Sequence, residues 1–134
     1  MVSSQAVNIY KNQQVMLSLP ERLTLMLYTG ALRFLNESIQ ALEQGDVEKS
    51  HTANLRVQDI VKEFIRTLNM DYEISHQWAQ LYEYTEYCLI HGNIKKDVQK
   101  LNEARDILRE MRDAWEGAMQ ETAVKEKPAE AMKG

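Results

Sequence analysis

The chain has 134 residues, with 16 Lys+Arg against 20 Asp+Glu, 44% hydrophobic and 7% aromatic residues, five Gly, two Pro and one Cys. One domain of this size buries about 68–70% of the unfolded chain's surface without staples, and the lone Cys88 excludes an internal disulfide framework or a Cys-rich zinc site. A formal charge of -4 and a pI near 5.4 argue against a nucleic-acid partner; the apolar runs fall short of a membrane span, and Met1 to Val7 lacks the features of a signal peptide, so a cytoplasmic protein without membrane insertion is expected.

Residues 1–19 carry a single charge, Lys11, yet hold Val7, Ile9, Tyr10, Val15, Met16, Leu17 and Leu19. Such an arm is apolar enough to dock on something. Ser18-Leu19-Pro20-Glu21 reads as a helix start, with proline in the first turn and Ser18 a candidate cap answered by Glu21. A first helix then covers 20–44 and stops near Gly45. Asp46 can cap a second over 47–69, and Asp71 a third over 72–91 that stops at Gly92-Asn93. The fourth, 94–119, carries Leu101, Ala104, Leu108, Met111, Trp115 and Ala118 at alternating steps of three and four, an a/d seam. Short connections between these helices predict an all-α, antiparallel up-down four-helix bundle over 20–119. From 120 to 134, three acids, three lysines, Pro128 and no aromatic residue read as a disordered tail.

Helical wheels separate the helices into two kinds. In the second, Ala53, Val57, Ile60, Val61, Phe64, Ile65 and Leu68 share a sector of about 140°, with Leu55 outside it. The first is broader. Leu23, Leu27, Ala31, Phe34 and Leu42 make a core stripe, and Leu25, Tyr28, Leu32, Leu35 and Ile39 widen the apolar sector to roughly 200°. The third has a core set of Ile74, Trp78, Leu81, Tyr82, Thr85, Cys88 and Leu89, while Tyr84, Tyr87 and Ile90 project toward the other side. Either helix 1 is central and touches more neighbours, with surface tyrosines of the ordinary kind, or helices 1 and 3 form a groove for a partner. Between Asp71 and Asn93 there are four acids and no Lys or Arg, which would favour a docking peptide carrying positive charge.

Glu48/His51 and Glu73/His76 have the Glu-x-x-His spacing of di-iron bundles, but both pairs fall well off their core stripes, at helix ends, where ligands could not converge. No metal or other cofactor is expected. His91 beside Gly92 reads as a partly solvated helix-end residue, and Cys88 as a small buried hydrophobe without a paired base. A phosphate loop, a nucleophile elbow and an inward carboxylate pair are all missing, so an enzyme is not expected. The residues describe a binding module.

Pro20-Glu21-Arg22-Leu23, Leu25-Met26-Leu27-Tyr28-Thr29-Gly30-Ala31, Glu73-Ile74-Ser75, Leu81-Tyr82-Glu83-Tyr84, Gly92-Asn93-Ile94-Lys95-Lys96-Asp97 and Asp113-Ala114-Trp115 occur in an order and spacing that resembles the flagellin-specific export chaperone family, FliS, from about Ala6 to Met119. Tyr87-Cys88 stands where the family often has paired arginines, and Gly92-Asn93 where it has Ala-Asn. The resemblance implies a non-enzymatic cytoplasmic chaperone without ATP or metal. Its partners would be the disordered C-terminal segment of flagellin, whose premature polymerisation it blocks, and the export gate at the membrane. It also implies that the arm holding Val7, Ile9 and Tyr10 covers part of the client site and yields it to flagellin. On the wheels, Leu25, Tyr28, Leu32, Leu35, Ile39, Tyr84, Tyr87 and Ile90 are the expected client-binding residues. Two other readings use the same faces or spacings: a self-associating structural bundle, homodimeric when client-free, and a di-iron carboxylate bundle.

Overall fold

The computed structural model describes residues 19–133 and forms α1 (Glu21–Glu43), α2 (Val47–Thr67), α3 (Glu73–Lys95) and α4 (Val98–Lys133). Ser18 and the arm residues Val7, Ile9 and Tyr10 lie outside the described residues. Pro20 is the residue before α1, and its carbonyl accepts both the Thr24 amide and the Thr24 hydroxyl. The helix unwinds through Gly45, whose φ of +81° is the left-handed conformation that glycine adopts without a Cβ penalty. Asp46 then caps α2 by accepting the Lys49 amide, 3.1 Å.

Three boundaries differ from expectation. Asp71 does not cap α3; Tyr72 precedes the helix and no side chain caps it. Gly92 and Asn93 do not stop α3, which continues to Lys95 and turns at Lys96 in a left-handed conformation, φ 55°. Gly92 has another use. A Cβ there would meet Leu101 Cδ2 at 2.6 Å and Cγ at 3.0 Å, so its bareness lets the ends of α3 and α4 approach. The start of α4 accordingly moves to Val98, with Asp97 Oδ1 accepting the Gln99 amide. The third difference is the tail. α4 runs on from Gln120 to Lys133 instead of ending at Met119. Poverty in apolar residues precludes a core, but Ala, Glu, Lys and Met are strong helix formers that need none to extend an existing helix.

The helices form a ring: α1 packs on α2 and α4, and α3 packs on the same two. Every helix sends an aromatic ring to the centre, and α3 adds a second, Trp78, 5.9 Å from Tyr82. Tyr28 lies 4.6 Å from Phe64 and 6.4 Å from Trp115, centroid to centroid, and Phe64 stacks on Tyr82 at 5.3 Å. The α4 seam of Leu101, Ala104, Leu108, Met111 and Trp115 is buried, as are Ala53, Val57, Val61, Phe64 and Leu68 of α2. Several polar groups inside are matched to partners, whereas the buried Ser75 hydroxyl has none among the described residues. Ser38 bonds the Ser50 carbonyl at 2.8 Å, and Asn54 reaches from α2 to the Leu89 carbonyl of α3 while accepting from Gln58.

The α1 wheel has the right width and the wrong phase. Tyr28, Leu32, Leu35 and Ile39, expected to face outward, are between 0% and 5% exposed, while Leu23, assigned to the core, is 40% exposed. Leu27, Phe34 and Leu42 are half-buried flanks. On α3, Leu81 is likewise exposed rather than central. A single groove across helices 1 and 3 is therefore not formed, because those helices occupy opposite corners of the ring.

Candidate functional site

With the core complete, the large apolar side chains left outside mark the surface available to a partner. They are spread around the ring: Leu23 and Met26 on α1, Val47 and Leu55 on α2, Met70 before α3, and Leu81, Tyr84, Tyr87 and Ile94 on α3. α3 is the richest. Residues three and four apart share a helix face, and Leu81, Tyr84, Tyr87, His91 and Ile94 run as one outer stripe along the side of α3 that borders α4.

The rings of this stripe are ordered by their neighbours. Tyr84 and Tyr87 stack at 5.9 Å and 21°, and Tyr87 lies 4.1 Å from the His91 ring. The Lys100 ammonium of α4 sits 6.0 Å from the Tyr84 ring centre and 5.8 Å from that of Tyr87, within cation–π range. The Tyr84 hydroxyl donates to Glu103 at 3.0 Å, and Lys100 pairs with the same carboxylate at 3.0 Å. That hydrogen bond to a carboxylate raises the Tyr84 pKa, while Lys100 and then Tyr84 lower that of Glu103, and Glu103 pushes Lys100 up to about 12. A fixed aromatic platform with a polar rim results, which is the composition of a protein-binding surface.

Of the residues expected to bind a partner, Tyr84 and Tyr87 are brought together on this platform; Ile90 and Leu25 are half-buried at its edge and at the opposite corner of the ring, respectively. Tyr28, Leu32, Leu35 and Ile39 belong to the core and cannot line a surface without unpacking it. Leu81 and Ile94 were not anticipated as surface residues; continuing the Tyr84/Tyr87 stripe by one turn backward and two turns forward finds both.

The other chemistry-bearing residues are dispersed. Glu48, His51, Glu73 and His76 are exposed, and His51 Nδ1 is joined to Asn93 Nδ2 at 2.8 Å across α2 and α3. Among the described residues no group of three or more His, Cys, Asp or Glu is placed to hold a metal ion. Cys88 is buried, and that burial raises its thiol pKa, which disfavours a reactive thiolate. No helix among the described residues is long and apolar enough to cross a membrane.

Comparison with known proteins identifies the family. The chain is 36% identical over 111 residues to the flagellar secretion chaperone FliS of Bacillus subtilis, covering 83% of this chain and 84% of that one. It is 28% identical over 117 residues to the protein of the same name in Campylobacter jejuni, covering 86% and 91%, and 30% identical over 105 residues to that of Salmonella typhimurium, covering 75% and 77%. The model of the family described as flagellar protein FliS matches residues 3–122. An exposed apolar surface on a four-helix bundle, together with a match spanning nearly the whole chain, places this protein in the FliS family of flagellar chaperones.

Proposed function

We propose that this chain is a non-enzymatic cytoplasmic chaperone that binds the disordered C-terminal segment of flagellin, prevents its premature polymerisation and delivers it to the flagellar export gate. The observation that carries this reading is the distribution of exposed apolar residues over three helices of a bundle whose core is already filled. A rigid partner would meet one patch; a disordered segment can wrap, and it meets its ordering cost by spreading contact over a long path. Tyr84 and Tyr87, with Leu81 and Ile94, would anchor that path on α3, and Leu25 and Ile90 would extend it. The arm carrying Val7, Ile9 and Tyr10 is proposed as a self-ligand for part of the same surface, displaced when the client binds.

The test is calorimetric titration of the full chain with a peptide covering the C-terminal region of the flagellin from the same organism. Binding tighter than tens of micromolar is expected, and its absence at that concentration would sink the reading. Deleting residues 1–17 should leave client affinity unchanged or tighten it, because a competing ligand is removed.

A further inference from the structure

Gly30 sits in the interior of α1, although nothing in the fold calls for a glycine there. Its backbone is not left-handed, and a Cβ at this position would meet only Ile60 Cδ1 at 4.0 Å, an ordinary contact. A glycine inside a helix lowers its stability relative to alanine. What this one leaves is a notch of about 270 Å³ on the outer face, lined by Met26, Thr29, Gly30 and Arg33. Leu23 and Met26 extend that face as apolar surface, 40% and 63% exposed. Arg22 and Arg33 close it at its two ends, eleven residues apart, which puts them within about 20° of each other on the wheel and about 16 Å apart along the axis. Both are exposed, neither forms an ion pair among the described residues, and α1 has no acid between them.

We propose that this face of α1 is a docking site for an amphipathic helix of a partner protein, separate from the stripe of α3. The partner sets an apolar side chain into the Gly30 notch and carries acidic residues about three turns apart, opposite Arg22 and Arg33. Charge selects this occupant over the others at hand. A second copy of the chain meets like charge in either orientation: antiparallel pairing about the centre of the face sets Arg22 against Arg33, and parallel pairing sets each arginine against its equivalent. The N-terminal arm offers no acid, since Lys11 is the only charged side chain in residues 1–19. The α3 surface has the opposite preference, because Asp71 to Asn93 holds four acids and no Lys or Arg, and α3 stands at the diagonal corner of the ring. Two features ready the α1 face for negative charge. The Arg33 guanidinium is held over the Phe34 ring at 5.1 Å, and the positive end of the helix dipole lies beside Arg22. One helix on one helix face buries little area, so binding is weak, with a dissociation constant of about tens to hundreds of micromolar. The site goes beyond the flagellin reading and does not rest on it.

The probe is a capped synthetic helix of about 18 residues, long enough to hold helical structure, with two glutamates at the Arg22–Arg33 spacing and leucines between them on the same face. Titrated into the isotope-labelled full chain, it should shift the amide resonances of Arg22, Met26, Gly30 and Arg33 saturably and leave those from Leu81 to Ile94 in place. Gly30→Leu, which fills the notch, should weaken binding by about fivefold or more. Gly30→Ala should raise the denaturation midpoint, because the fold does not need the glycine. Arg33→Glu, at an exposed position, should lose a similar factor and instead prefer the same peptide with lysines in place of glutamates. No saturable shift at hundreds of micromolar, shifts confined to α3, a parent chain that binds the lysine peptide equally well, undiminished binding by Gly30→Leu, or a lowered midpoint in Gly30→Ala would each overturn the proposal. So would displacement of the probe by the flagellin peptide, which would assign the notch to the client, or tighter binding after deletion of residues 1–17, which would assign it to the arm. A flagellin peptide that binds nowhere would end the client reading and leave these outcomes as they are.

Discussion

Two tyrosine pairs sit within a few residues of each other and do opposite things. Tyr28 and Tyr82 meet across the diagonal of the ring with their hydroxyls 2.5 Å apart and no exposed surface. Tyr84 and Tyr87 stack side by side on the outside, 42% and 46% exposed, with their polar contacts drawn from α4. Tyr84 follows Tyr82 by two positions, a rotation of about 200° on a helix. The inner pair supplies stability and specificity to the core, and the outer pair supplies surface. Identical side chains are thus divided between core and surface by helical phase alone.

The largest test of this division is truncation. Tyr82→Ala removes a central ring and should cost about 3–5 kcal/mol in chemical denaturation, whereas Tyr87→Ala should stay within about 0.5 kcal/mol. Equal losses would mean that the two pairs are not distinct. Removing one inner hydroxyl comes next. Tyr28→Phe strands the Tyr82 hydroxyl in the core at a cost of about 1–3 kcal/mol, and Tyr82→Phe does the same to Tyr28, yet the double variant should recover much of the loss because nothing polar is left unpaired. A denaturation cycle on the four proteins measures that coupling.

pH separates the pairs again. Burial raises the Tyr28 and Tyr82 pKa values well above the ordinary 10.0. In the unfolded chain these phenols ionise near 10, while the folded protein holds their protons, so the contribution is intact below pH 10 and lost as pH rises beyond it. Stability should therefore fall steeply on the alkaline side, and the Tyr28→Phe/Tyr82→Phe protein should show a shallower fall. The smallest expected effect is on the outer pair's support: Glu103→Gln should leave the denaturation midpoint essentially unchanged, as exposed ion pairs do, while lowering the Tyr84 pKa in a spectrophotometric titration.

Sequence periodicity was sufficient for the number and order of helices and for the buried faces of α2 and α4, where one apolar stripe faces one charged flank. It failed on α1 for a definite reason. With an apolar sector of about 200°, either half could turn inward, and the half that does carries Thr24 and Ser38, whose hydroxyls look like surface groups. Both bond backbone carbonyls, of Pro20 and Ser50, and so enter the core at little cost. Of the candidate site, the outer tyrosines were legible because Tyr82 and Tyr84 cannot share a face. The α1 contribution was not, since whether helices are neighbours or diagonal partners is a property of the assembled ring and leaves no mark on any one wheel.

The buried amide of Asn54 has a consequence for how this bundle keeps its shape. Apolar seams tolerate sliding, because one leucine resembles the next a turn away. Asn54 donates to the Leu89 carbonyl while its own oxygen accepts from Gln58 within α2, 2.7 Å, so displacing α2 along α3 by a turn would strip the buried Asn54 amide of its cross-helix acceptor. That hydrogen bond acts as a detent between the two helices. The exposed stripe of α3 is thereby held in register by a contact that is itself buried.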